Sequence, residues 1–145
     1  MGSAFDTEKF RIICESKVQE VLTENSTNLS GLIILYCLEH PDFSTLASHI
    51  KLEIIPVSHQ RVGLGPSAIF RHKPRFVVNM VSKKRETETI KKMNLFIGKL
   101  TDKLINKEID SVVFMNVRNN VYPIAKDCEN KVASFEMMYD EFINS

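Results

Sequence analysis

The sequence predicts an α/β fold, a three-layer α/β/α sandwich around a central mixed sheet, and three observations carry that expectation. Short runs rich in Ile, Val, Leu and Phe recur along the chain, and segments with apolar residues three and four apart alternate with them. One run, "GLIILYCL" at 31–38, is apolar without alternation, as in a strand covered on both faces. A chain of 145 residues, 43% hydrophobic and 26% charged, suits one domain with one core. With only 5 Gly, 5 Pro and no low-complexity run, disorder and repeat architectures are disfavoured.

In chain order, residues 1–9 read as an N-terminal tail and 10–145 as the domain. "FRIIC" at 10–14 is short and β-prone, and with "GLIILYCL" it supplies the first two strands. "KVQEVLTE" and the polar loop "NSTNLS" lie between them. Asp42 or Ser44 can cap a helix that carries Phe43, Leu46 and Ile50 on one face. Pro56, Gly63, Gly65 and Pro66 mark a turn-rich connection, and "SAIFR" and "RFVVNMVS" flank "HKP" as in a hairpin. From Glu86 the period changes: Ile90, Met93, Ile97, Leu100 and Leu104 follow steps of 3, 4, 3 and 4, the stripe of a long amphipathic helix. "SVVFMNV" reads as a further strand. Val132, Phe135, Tyr139 and Phe142, at steps of 3, 4 and 3, read as a final helix.

Charge is unevenly spread. Residues 61–107 carry 12 Lys and Arg against 3 Asp and Glu, while the segments on either side are acidic and the whole chain nets +1. A basic middle third attracts phosphate-bearing partners or simply solvates a helix face. Three scattered cysteines, Cys14, Cys37 and Cys128, point to structural thiols in a reducing compartment. Cys37 and His40 have the local spacing of a zinc pair without a second pair to complete four ligands, so no metal is expected. His49 falls on the expected helix, and His59 and His72 in loops, where a role as catalytic base is not indicated. "VGLGPS" lacks a phosphate-loop lysine, and there is no nucleophile elbow or RNA-recognition signature. Gly98, inside the long helix, implies a close helix-to-sheet approach. No apolar run exceeds the eight residues of 31–38, so no membrane span is expected.

The stretch "SAIFRHKPRFVVNMVSKKRETETIKKMNLFIGKLTDKLINKEIDSVVFMNV" resembles the central part of macrodomains, in particular the small single-domain branch that removes ADP-ribose from acidic side chains. The resemblance implies a macrodomain-like sandwich from Phe10 onward, and the chain ends where the family adds one more strand inside its sheet. It also implies positions for the family's functional residues. The catalytic lysine matches Lys83, at the end of the hairpin strand. The adenine-contacting Gly-Asp falls at Ser16 and Lys17, and the first glycine-rich loop at Ser44, Thr45 and Leu46. The second phosphate loop falls around Asn119 and Asn120, and the catalytic aspartate near Tyr122 or Pro123, leaving Asp127 as a substitute.

With both glycine loops and the aspartate replaced, the resemblance implies a degenerate pseudoenzyme without cofactor. The expected function is a protein-interaction or scaffolding module of the nucleus or cytoplasm that does not bind ADP-ribose. Its contacts would be the altered cleft and an exposed sheet edge, with a protein partner or a homodimer. One alternative is a nucleic-acid or poly-ADP-ribose binder using residues 71–92, with Arg71, Lys73, Arg75, Lys83, Lys84, Arg85, Lys91 and Lys92 as its basic surface. The other is a divergent ADP-ribosyl hydrolase using Lys83 and Asp127.

Overall fold

Two helices lie against one face of an eight-stranded mixed sheet in the computed structural model, which describes residues 7–38, 48–56, 59–63, 69–125 and 128–142. The chain runs α1 (Thr7–Glu24), β1 (Ile34–Leu35), β2 (His49–Ile55), β3 (His59–Val62), β4 (Ile69–His72), β5 (Arg75–Lys83), α2 (Thr87–Leu104), β6 (Glu108–Ile109), β7 (Val112–Ala125) and β8 (Cys128–Phe142). Every strand pairing is antiparallel except β1 on β2, which makes the sheet mixed.

The sheet is simpler than its element count implies. His72 faces Tyr139 and Arg75 faces Glu136, so β4 and β5 meet β8 in one uninterrupted register. Between them the carbonyl of Pro74 accepts the Met137 N–H at 3.1 Å. Residues 69–83 are therefore one long strand, and the hairpin expected around "HKP" does not form. Pro74 removes a single ladder donor without reversing the chain, because a ring-fixed φ remains compatible with extended backbone. β2 and β3 flank this strand on its other side, their pairings with it offset by one residue around Pro56.

β8 is the middle of the sheet, with β5 along one side and β7 along the other. The segment expected as a final helix is thus an interior strand. Val132, Phe135, Tyr139 and Phe142 mimic a helical stripe, but Ala133, Phe135, Met137 and Tyr139 also alternate, and pairing on both sides selects that second period.

One face of the sheet is apolar. Ile50 and Leu52 of β2, Phe76, Val78 and Met80 of β5, and Ala133, Phe135 and Met137 of β8 are all buried and share it. Phe76 and Phe135, paired across the strands, stack with ring centroids 5.8 Å apart. Both helices cover this face: α1 with Phe10, Ile13, Cys14, Val18 and Val21, α2 with Met93, Phe96, Ile97, Leu100 and Leu104. Burying each large side chain contributes about 1.5–3 kcal/mol. Among the described residues no helix covers the opposite face, so they form two layers rather than the expected three.

Two further expectations change. "FRIIC" is helical, because its apolar residues continue at Val18 and Val21 with helical spacing that a five-residue window does not reveal. α1 opens at Thr7, inside the span expected as a tail. In "GLIILYCL" only Ile34 and Leu35 pair, as an edge; Ile33 and Leu38 are exposed, so the run is not an interior strand. Residues 39–47 lie outside the described residues, but Ile50, expected on the helix beginning there, belongs to β2. His49 and His72, expected on a helix and in a loop, are buried strand residues.

The long helix forms as expected, from Thr87 to Leu104. Glu88 in its first turn and Lys103 in its last complement the helix dipole. Lys103 also bridges to α1 through Glu24 at 2.7 Å and Glu20 at 3.5 Å, and Lys92 donates to the Ser30 carbonyl at 2.7 Å. Gly98 meets no atom within 4 Å of where a Cβ would stand, so the close helix-to-sheet approach expected there is absent. α2 leaves through Asn106 at φ 59°, and Asp110 and Ser111, at φ 49° and 70°, turn β6 into β7 as a two-residue hairpin with both φ positive.

Candidate interaction surface

The expected catalytic and ligand positions that lie among the described residues do not converge. Lys83 ends β5 opposite Cys128; it is exposed, and its N–H donates to the Ser48 hydroxyl at 3.1 Å. Side chains alternate along β5 and Ser82 faces the helices, so Lys83 leaves the sheet on the other face. Ser16 and Lys17 lie on α1, where Lys17 pairs with Glu20 at 2.8 Å. Asn119 and Asn120 are exposed on the separate edge strand β7. Tyr122 pairs with Asn130 through its backbone, and its side chain is outside the described residues. Asp127, Ser44, Thr45 and Leu46 also lie outside them.

The basic residues divide into separate groups. Arg71 and Lys83 stand at the two ends of one long strand, about 40 Å apart at about 3.3 Å per residue. Arg71 forms a bidentate pair with Asp140 at 2.9 and 3.1 Å, while Arg75 faces Glu136 across the ladder. Lys73 is exposed at the strand interruption. Lys91 reaches Glu88 at 3.3 Å, and Lys92 is held by Ser30. Lys83, Lys84 and Arg85 remain as an exposed trio at the turn into α2. The continuous basic surface expected over 71–92 is therefore broken in two along the strand.

Thiol chemistry finds no support. Burial foremost, with Cys37 and Glu15 adding to it, pushes the Cys14 thiol well up, and burial with the Glu15 carboxylate pushes Cys37 up to about 12. Both are neutral thiols at physiological pH. No group of three metal-ligating side chains occurs among the described residues.

What the fold does present is an open sheet edge. β6 pairs only with Val112 and Val113 of β7, and the Phe114 N–H and C=O are taken by Lys107 and Asn106. Beyond a bulge opposite Glu136, β7 continues to Ala125 with β8 on one side and no strand on the other among the described residues. Because the Met137 N–H points to Pro74, alternation along β8 directs the N–H of Ser134, Val132 and Asn130 toward β7. Their partners Arg118, Asn120 and Tyr122 are thus bonded inward. The N–H groups of Val117, Asn119 and Val121 point out of the sheet. Pro123, which has none to offer, falls at the next outward position, where proline is tolerated.

The edge carries little charge. Arg118 is the one ionic side chain of β7, and Glu136 on β8 stands 3.6 Å from it while also accepting from Asn116 at 3.3 Å. Val121 is 56% exposed and lines a cleft of about 180 Å³ between α2 and the β7–β8 hairpin, with Met80, Ile90 and Met93 as its floor and Glu129 and Lys131 at its rim. Sequence reasoning anticipated an exposed edge but not this one. The strand signal in "SVVFMNV" stops at Val117, and "RNNV" reads as loop by composition although β7 runs through it.

No family model matches the sequence, and no curated protein matches it. Among solved structures, a chain in the virion of a native gene transfer agent particle is similar, with a TM-score of 0.50 over 85% of this chain and 91% of that one, at 13% identity. At that identity what the two share is a fold, here an α/β arrangement with a mixed sheet and two helices.

Proposed function

We propose that this protein is a non-catalytic protein-interaction module, a subunit of a larger assembly, that does not bind ADP-ribose. The single observation that carries the reading is the β7 edge: outward N–H groups at Val117, Asn119 and Val121 beside an exposed valine and a small cleft of mixed apolar and polar lining. An edge of this length without lysine is a template for strand addition, which proteins otherwise blunt with charge. The neighbour of similar fold is a part of a virion, which is in keeping with a role in assembly. Further support comes from the scatter of Lys83, Ser16, Lys17, Asn119 and Asn120 over different faces and elements, since acyl or glycosyl chemistry needs such groups within hydrogen-bond reach of one substrate.

Macrodomain-like descent is part of the same proposal, supported by the order β5 ending at Lys83, then α2, then β7. Helical 7–24 and extended 128–142 depart from it. Calorimetric titration with ADP-ribose tests the reading. No heat of binding at millimolar ligand is expected, and micromolar affinity, or Lys83-dependent release of ADP-ribose from a modified glutamate, overturns it.

A further inference from the structure

We infer that the occupant of the β7 edge is β7 of a second copy of this chain, paired antiparallel about a two-fold axis at Asn119. The inference rests on the interaction reading above and names its partner. An isologous contact requires a strand that complements itself, and "VRNNV" at 117–121 does so. With Asn119 opposite Asn119 of the second copy, Val117 faces Val121 and Arg118 faces Asn120. All three outward N–H positions then fall opposite outward positions, so the ladder can close.

Neighbouring registers are worse for stated reasons. Moving the axis toward the start of β7 by one position sets Arg118 against itself, with like charges directly opposed. Shifting it the same way toward the end sets Val117 against Pro123, which lacks an N–H. At Asn119, each Val121, now 56% exposed at the mouth of the cleft, acquires a valine opposite it on the helix-facing side. On the other face Arg118 keeps its own Glu136 and meets an amide rather than a second cation. β6 covers Val112 and Val113, and Asn106 and Lys107 cover Phe114; these fall opposite the last residues of β7 of the other copy, so the new ladder is confined to the stretch around 117–121. Two sheets would then run on as one.

Cysteine cross-linking tests the register in the full-length chain with Cys37→Ser and Cys128→Ser. The two Asn119→Cys residues would stand about 5.5 Å apart at Cα, within disulfide reach, and should cross-link on mild oxidation. Asn116→Cys is the control, because its two copies are about 20 Å apart along the strands and should not. By sedimentation the unsubstituted chain should have the mass of two copies, and Asn119→Pro, with an unchanged circular dichroism spectrum, the mass of one. A monomer at high micromolar concentration, or cross-linking at 116 and not at 119, overturns self-pairing. Those results leave the interaction module itself to stand or fall on the ADP-ribose titration.

Discussion

Pro74 and Met137 face each other in the middle of the sheet, the proline carbonyl accepting the Met137 N–H at 3.1 Å while no N–H returns the bond. Through this one-sided contact β4 and β5 act as a single strand against β8. Met137 is buried, and its amide lies in the interior of the ladder. Met137→Pro should remove the remaining bond and cost about 3 kcal/mol or more. Urea denaturation would check it, and a loss below about 1 kcal/mol would mean that β8 is not the central strand.

Gly98 stands in the exposed part of α2 with free space where its Cβ would be. Gly98→Ala should therefore stabilise the protein by about 0.5–1 kcal/mol through helix propensity alone. A higher urea midpoint at unchanged slope is the expected result. A lower one would show that the helix does approach a neighbour there.

The core's stacked aromatic pair is a sensitive position. Phe135 is fully buried against Phe76, and Phe135→Ala should cost about 3–5 kcal/mol, a large share of a small domain's stability. Thermal unfolding read by circular dichroism would register this as a broad low-temperature transition or as no folded state at all.

Arg71 and Asp140 make a partly exposed pair, and the hydrogen bond from the guanidinium holds the Asp140 carboxyl below its ordinary value of 3.8. A depressed carboxyl contributes stability that is fully present above its unfolded value and is lost as pH falls through the folded one. Asp140→Asn should accordingly lower stability by about 0.2–1 kcal/mol at neutral pH, in keeping with the exposure of the pair. At acid pH well below the folded carboxyl's value the two proteins should denature alike. A difference that persists at low pH would assign the effect to packing rather than charge.

Legibility in the sequence followed from how local the deciding forces are. α2 was readable because Met93, Ile97, Leu100 and Leu104 keep one face over about three turns, a signal no short strand imitates. β8 was not, since residues 132–142 satisfy both a helical and an alternating pattern, and only the strands on both sides decide between them. "HKP" misled for a related reason: proline usually ends a strand, yet Pro74 sits where a single missing donor is tolerated. The β2 strand "HIKLEII" carried a plain alternation of Ile50, Leu52 and Ile54, obscured by assigning Ile50 to the preceding helix.

Within the candidate site, the sequence offered an exposed edge in general terms and Lys83 in particular. Chain register, which no local pattern encodes, decides that Lys83 faces away from the helices and that Val117, Asn119 and Val121 offer their N–H groups outward. The buried Lys51 was likewise invisible: its ammonium donates to the carbonyls of Tyr36 at 2.7 Å and Cys37 at 3.2 Å, fixing the segment after β1 to the sheet.

Residue-resolved hydrogen exchange along β7 tests the central claim most directly, that this edge is where the protein binds a second copy of itself. Arg118 and Asn120 amides, bonded to β8, should be protected at every concentration. Val117, Asn119 and Val121 amides should exchange fast in dilute solution and slow steeply as concentration rises and the edge is covered. Fast exchange of those three at all concentrations, with Arg118 and Asn120 still protected, would contradict the account.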